Sequence, residues 1–285
     1  MMSITMLGAA EIRKLAEELE LRPSKSLGQN FVIDANTCMK IARLAGIEAK
    51  DRVVEIGPGI GSLTLAILSH TKNLTAIEID KRLASKLQET LSVHGSGKIE
   101  ILNEDALKVT NLDNKPDKLV ANLPYNVSVP VLLTFLERFP SIRSGVVMVQ
   151  YEVAERLAAK PGTKSYGVPS AKAAWWCEVQ LRDSVSRSVF WPVPNVDSAL
   201  LTFNRYQGER SPFGDEALRV STFAIIDSAF GKRRKMLRAA LSELIGSSAK
   251  AEAILLSAGI DPNARGESLG ISQFVDIAKA WQASK

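Results

Sequence analysis

The chain has 285 residues, with 46% apolar and 24% charged side chains and a formal net charge of +5. At roughly 150 residues per domain this is room for about two domains with a sizeable core, and the composition excludes disordered, collagenous and coiled-coil classes. No apolar run approaches the roughly 18 residues of a membrane span, and the opening MMSITMLGAA lacks the charged and long apolar regions of a secretory signal, so a cytoplasmic protein with no membrane partner is expected. The cysteines Cys38 and Cys177 and the histidines His70 and His94 show no metal-ligand spacing, which argues against disulfide scaffolds, bound metal and histidine-based triads. Both histidines read as surface residues. From residue 207 onward there are 11 Lys and Arg against 9 Asp and Glu, and before it 25 against 22, so a nucleic-acid surface would be a local patch.

In chain order, residues 11–21 form a helical stretch that Arg22-Pro23-Ser24-Lys25 interrupts. Short β-branched runs follow at Arg52–Ile56, Leu74–Ile79, Lys98–Leu102, Lys118–Ala121 and Val146–Gln150, with helical patterns between them at Leu63–Leu68, Lys81–Leu91 and Val129–Arg138. Strands separated by helices of this length imply right-handed crossovers and a parallel sheet covered on both faces. Beyond Gly167 two strand-like runs, Cys177–Ser184 and Ser198–Asn204, joined by the proline-rich VFWPVPNVD, predict a hairpin at a sheet edge. After residue 206 only helical patterns remain, at Asp215–Phe230, Lys232–Leu244, Ala249–Ala258 and Ser272–Trp281. The expected organisation is an N-terminal extension over 1–21, a Rossmann-like α/β domain over 22–206 and a small all-helical domain over 207–285.

The first strand runs into Gly57-Pro58-Gly59-Ile60-Gly61 before a helix opening at Ser62. Glycines there let backbone approach a ligand, and a helix N-terminus favours negative groups. About 20 residues on, Glu78 closes the second strand in AIEID, where a carboxylate can accept from both ribose hydroxyls. The GxGxG spacing and the donor removed by Pro58 fit poorly with gripping a pyrophosphate, which favours S-adenosylmethionine over NAD. Asp105, in EDAL, is placed to accept from an adenine amino group, and Asn122-Leu123-Pro124-Tyr125 follows the fourth strand. Ligands of open α/β sheets sit outside the carboxyl ends of the strands, so Gly57, Glu78, Asp105 and Asn122 converge on one cleft. Each alone also reads as an ordinary turn, cap or solvated strand end; their joint spacing carries the reading.

An exocyclic amine conjugated to a purine is a poor nucleophile, and a methyltransferase site must favour its pyramidal form. The Asn122 amide oxygen and the Leu123 carbonyl can accept the two N–H bonds, Pro124 stiffens the turn, and Tyr125 offers an aromatic face. Phe190 could close the other face of an extruded base.

These stretches, with Lys25-Ser26-Leu27-Gly28-Gln29-Asn30-Phe31, EIGPGIGSLT, NLPYNVS, VFWPVPNVDSALL, AFGKRRKMLR and NARGESLGISQF, resemble the small-subunit ribosomal RNA adenine N6,N6-dimethyltransferase family, whose bacterial members confer kasugamycin sensitivity. The resemblance runs over residues 22–280. It implies that Asn30, Val32, Gly57, Glu78, Asp105 and Asn122 line an S-adenosylmethionine site, and that Asn122, Leu123, Tyr125 and Phe190 hold the target base. It implies a substrate of two adjacent adenines in a hairpin loop near the 3′ end of small-subunit RNA, within the assembling subunit. Lys232, Arg233, Arg234, Lys235 and Arg238 would bind RNA phosphates; on a helix, 234, 235 and 238 align best, and a monomer is expected. Val32 stands where Leu is common, Trp191 sits inside the proline element, and the extension before Arg22 is longer than the family usually has. The rivals are a large-subunit adenine methyltransferase of macrolide-resistance type, a non-catalytic assembly factor and an NAD-dependent oxidoreductase.

Overall fold

The computed structural model describes residues 4–21, 30–206 and 211–284. Its elements up to residue 150 are α1 (Ala9–Glu18), β1 (Phe31–Val32), α2 (Ala35–Leu44), β2 (Arg52–Ile56), α3 (Ser62–Leu68), β3 (Asn73–Ile77), α4 (Lys81–Val93), β4 (Glu100–Leu102), β5 (Lys118–Asn122), α5 (Ser128–Arg138) and β6 (Ser144–Gln150). Then come α6 (Tyr151–Leu157), α7 (Val168–Ala173), β7 (Cys177–Val185), β8 (Phe190–Trp191), β9 (Ser198–Arg205), α8 (Glu216–Gly231), α9 (Leu237–Ala240), α10 (Ser242–Ile245), α11 (Ser248–Ser257) and α12 (Ile271–Ala283). No helix among the described residues is long and apolar enough to cross a membrane.

The strands form a seven-stranded sheet in the order β4-β3-β2-β5-β6-β9-β7. β2 through β6 pair in parallel, and β9 runs antiparallel to β6. Val53, Val54, Leu119, Val120 and Val146–Val149 are fully buried, as expected of parallel strands covered on both faces. The expected hairpin is present at the edge, as the neighbours β9 and β7. Helix starts follow local chemistry: Asp34 accepts from the Thr37 N–H at 2.8 Å to open α2, and Asp80 accepts from the Arg82 N–H at 2.9 Å to open α4.

Two compact units result, Met1–Ala154 with Gln180–Arg205, and Glu155–Val179 with Tyr206–Lys285. This differs from the expected division in two places. The extension is no appendage: Leu7, Ile12, Ala16 and Leu21 are buried in the core of the first unit. A ten-residue helix is marginal alone, and burial of each large apolar side chain supplies roughly 1.5–3 kcal/mol. Residues 155–179 pack with the helices because their aromatic residues need cover. Trp175 lies 5.8 Å from Phe213, Trp176 5.3 Å from Phe223 and Tyr166 5.7 Å from Phe230, with the Tyr166 hydroxyl donating to the Leu269 carbonyl at 2.8 Å.

The helix expected over Lys232–Leu244 is also corrected. α8 ends at Gly231, residues 232–235 form a turn, and two short helices follow. The Leu237 and Arg238 N–H groups donate to the Ala264 and Pro262 carbonyls rather than to the preceding turn of a helix.

One strand residue breaks the apolar pattern. Glu55 in β2 is 1% exposed and its Oε2 has no hydrogen-bond partner among the described residues. Burial, and to a lesser extent the neighbouring Glu78 carboxylate, push it from an ordinary value of 4.5 up to about 8, against the lowering effect of the Thr64 hydroxyl. Below pH 4.5 the group is protonated in both states; as pH rises toward 8 only the unfolded chain ionises, so stability falls over that window. Glu55→Gln is therefore expected to melt with the wild type near pH 4.5 and above it at pH 8. A wild type that gains on the variant as pH rises would show that Glu55 is ionised in the fold.

Candidate cofactor and acceptor site

A cavity of about 210 Å³ opens at the carboxyl ends of β2, β3 and β5. The chain reaches β5 from β4 by crossing back to the far side of β2, so the cavity occupies the switch point of the sheet. Asn30, Val32, Gly57, Glu78, Asp105, Asn122, Leu123 and Tyr125 all line it.

The glycine loop owes its path to backbone freedom. Gly57 and Gly59 have φ of 69° and 58°, and a Cβ on Gly59 would lie 3.1 Å from the Phe31 ring, so strain and crowding both select glycine there. The Gly57 N–H donates to the Ile77 carbonyl at 2.9 Å, tying the loop to β3.

Glu78 follows β3 and is 5% exposed. Its Oε2 accepts from the Gly59 N–H at 3.1 Å and its Oε1 from the Asp80 N–H at 2.9 Å. Burial raises its pKa, and these backbone donors oppose the rise. Each oxygen keeps a further lone pair. Ile79 beside it is 54% exposed yet lines the cavity, an apolar face that a flat ring could lie on. Asp105 is fixed by the Leu107 N–H, which donates to its Oδ1 at 2.9 Å.

Asn122 ends β5. Its Nδ2 donates to the Asn30 carbonyl at 3.1 Å, which sets the amide's orientation, and its buried Oδ1 has no hydrogen-bond partner among the described residues. A buried acceptor without a donor costs about 1–3 kcal/mol. Here it lines a cavity, where an incoming N–H group can satisfy it. The glycine loop, the anchored carboxylate and this acceptor fit an adenosine-bearing methyl donor with an amine as acceptor.

Tyr125 is half-buried, and its hydroxyl is 2.7 Å from that of Ser198, the fully buried first residue of β9. Burial raises the phenol's pKa, as the nearby Asp197 also does, and the Ser198 contact offsets part of it.

Three expectations need correction. Phe190 does not line the cavity; it is 1% exposed, inside the core, because β8 pairs antiparallel with β1 and sets Phe190 opposite Val32. Trp191 pairs with Phe31, their rings 6.5 Å apart. His94 is 7% exposed, with Nε2 2.8 Å from a Glu11 carboxylate oxygen and Nδ1 3.0 Å from the Thr5 carbonyl. Lys232–Lys235 lie on a turn and Arg238 in α9, and part of the run's charge is already neutralised. Lys232 pairs with Glu243 at 3.0 Å, Arg233 with Glu267 at 2.9 Å and Arg238 with Glu252 at 3.6 Å. Arg234 and Lys235 are exposed and form no ion pair with a described residue. Lys25 and Arg22 lie outside the described residues.

Sequence reasoning passed over Ser198 and Ile79. Ser198 closes the quoted VFWPVPNVDS stretch, but its meeting with Tyr125 depends on the β6–β9 register, in which it faces Gln150. The signal for Ile79 was an apolar residue directly after the Glu78 carboxylate.

Residues 21–283 match the model of the ribosomal RNA adenine dimethylase family, leaving α1 ahead of the match. The chain is 53% identical over 281 residues to ribosomal RNA small subunit methyltransferase A of Leifsonia xyli subsp. xyli, covering 98% of this chain and 99% of that one. Among solved structures, the 23S rRNA methyltransferase ErmE superposes with a TM-score of 0.67 at 26% identity, over 88% of this chain and 99% of its own. A dimethyladenosine transferase from Plasmodium falciparum superposes with a TM-score of 0.74 at 24% identity, over 86% and 94%, and shows the shared fold. The length of the family match and this identity over nearly the whole chain place the protein in the ribosomal RNA adenine dimethylase family.

Proposed function

We propose that this chain binds S-adenosylmethionine in the switch-point cavity and dimethylates N6 of two adjacent adenines in the 3′-terminal hairpin loop of small-subunit ribosomal RNA, acting in the cytoplasm on the assembling subunit. The observation that carries the reading is the buried Asn122 Oδ1 on the wall of that cavity, which has no hydrogen-bond partner among the described residues. When bound, the cofactor supplies a methyl group already activated on a sulfonium, so the chain needs no strong base.

The residues divide the remaining work. Gly57 keeps the loop open to close approach, and Glu78, held by two backbone donors, receives the ribose hydroxyls with its remaining lone pairs. Asp105 accepts from the adenine amino group, Ile79 backs the ring, and Asn30 and Val32 close the wall. Asn122 Oδ1 and the Leu123 carbonyl accept the two N–H bonds of the target amine, drawing its lone pair out of conjugation. Tyr125 supports the extruded base. Phe190 contributes behind the wall, by fixing Val32. Arg234 and Lys235 are the cations of the basic run most available to phosphate, joined by Lys232, Arg233 and Arg238 where RNA displaces their carboxylate partners.

The direct test is transfer of label from S-adenosylmethionine to undermethylated small subunits, with mapping of modified bases; no label on adjacent adenines, or no cofactor binding in titration, overturns the reading. Asn122→Ala is expected to hold cofactor affinity within about tenfold while kcat falls a hundredfold or more, a loss of about 3 kcal/mol. Glu78→Ala should do the reverse, weakening the cofactor by roughly 1.5–3 kcal/mol; normal turnover in the first or unchanged affinity in the second removes that residue from its role.

If the hydroxyl pair orients the Tyr125 ring, Tyr125→Phe and Ser198→Ala should each lower kcat/KM for RNA several-fold, and the double variant should be no worse than either. Additive losses would mean that the two act separately.

Arg234→Gln with Lys235→Gln should flatten the salt dependence of subunit binding by about 1.5 to 2 units, at nearly one per phosphate contact, with cofactor affinity unchanged. The paired Lys232 and Arg238, replaced the same way, should change it less. Equal effects would show that the intramolecular pairs dissolve at no cost on binding.

A further inference from the structure

α1 precedes the family match and touches no residue of the acceptor turn in any described contact, yet it packs against the loop that shapes the cavity. Its apolar positions fall into two sets. Ile12 and Ala16, four residues apart, sink into the core, while Leu15 and Leu19 share a tight apolar crevice with Gly59 and Ile60 of the glycine loop and with Leu83 and Leu87 of α4.

Both ends of the segment are tied down. Ahead of the helix, the Thr5 N–H donates to the His94 carbonyl at 3.1 Å, and Glu11 meets the His94 ring at 2.8 Å. Behind it, Arg82 Nη1 reaches the Leu19 and Glu20 carbonyls at 3.5 and 3.4 Å, while Nη2 of the same guanidinium holds Asp80 at 2.8 Å.

Glu78 is oriented by two backbone donors, the Gly59 N–H on Oε2 and the Asp80 N–H on Oε1. α1 lies near both, lining one crevice with Gly59 and reaching Asp80 through Arg82. We propose that α1 is a positioning element of the cofactor site, one that sets the Glu78 carboxylate through the glycine loop and through Arg82 and Asp80. The proposal rests on the reading of Glu78 as the ribose acceptor.

Three proteins test it: the full chain, the chain lacking residues 1–21, and the full chain with Leu15→Gln and Leu19→Gln, which leaves the core residues Ile12 and Ala16 in place. Each is checked for a cooperative melt, then measured for S-adenosylmethionine affinity by calorimetry, kcat at saturating cofactor and KM for small subunits. Misplacing an oriented group by a fraction of an ångström to 1 Å costs up to about a hundredfold, so cofactor affinity should fall about tenfold or more while kcat and the subunit KM stay within about twofold. In a Glu78→Gln background the same change should cost about threefold or less, since α1 then has no carboxylate to orient.

Unchanged affinity in a variant that melts cooperatively overturns the proposal, as does lower kcat with unchanged affinity, the mark of a purely structural helix. Should the truncated chain fail to fold, the Leu15 and Leu19 variant decides on the same readouts. Absence of cofactor binding by the intact chain overturns the cofactor reading and this proposal with it, whereas equal affinity across the three overturns this proposal alone.

Discussion

The site depends on β5 pairing with β2 rather than with β4. Residues 118–120 align with 53–55 across a separation of some sixty positions, and this register brings Asn122 level with the loop that begins at Gly57. A Cβ on Gly57 would lie 3.8 Å from the Asn122 carbonyl. Had the chain continued outward from β4, the acceptor turn and the glycine loop would stand several strands apart, each at about 4.8 Å per strand. The crossover costs loop closure, which grows slowly with length, and it opens the crevice that no run of adjacent strands provides.

Around that crevice the structure holds two buried carboxylates in different surroundings. Glu78 is buried but carries two backbone donors, whereas the neighbouring Glu55 has one oxygen without a hydrogen-bond partner among the described residues. Burial raises both carboxyls, Glu55 to about 8, and on Glu78 the backbone donors oppose the rise.

Much of this was legible in the chain, because the informative residues sit directly after strands. Gly57, Glu78, Asp105 and Asn122 each follow a β-branched run, and the sheet rule carries them to one end without any knowledge of side-chain packing. What was not legible depends on partners distant in sequence. Phe190 reads as a face for a base until β1 pairs with β8 and turns it inward. His94 reads as a surface residue until the N-terminal segment folds over it. The GKRRK run reads as helix because Lys and Arg have good helix propensity, but the Ala264 and Pro262 carbonyls capture the N–H groups of Leu237 and Arg238 and the helix breaks. Residues 155–176 follow β6 in sequence yet belong with the helical unit, since Trp175 and Trp176 find their cover among its aromatic residues.

The sheet also divides its labour. One side, β2 to β4, ends in the residues suited to the cofactor, and α4 and α1 pack on that side. Its other half, β5, β6 and β9, ends in the acceptor turn, with β9 reversing direction so that Ser198 arrives beside Tyr125. The reversal matters because a parallel strand in that place would bring its carboxyl end, the residues near Arg205, to the cavity side in place of the VPNVDS segment. That segment is itself fixed, with the Asp197 carbonyl accepting from the Tyr151 N–H at 3.0 Å and the Asp197 carboxylate from the Arg187 N–H at 2.9 Å. Asn122 stands where the halves meet, its amide held by Asn30 on one side and its oxygen open on the other. On the proposed reading, cofactor grip and base orientation sit on separate strands and converge at one amide, and the two can vary independently as long as that amide keeps its orientation.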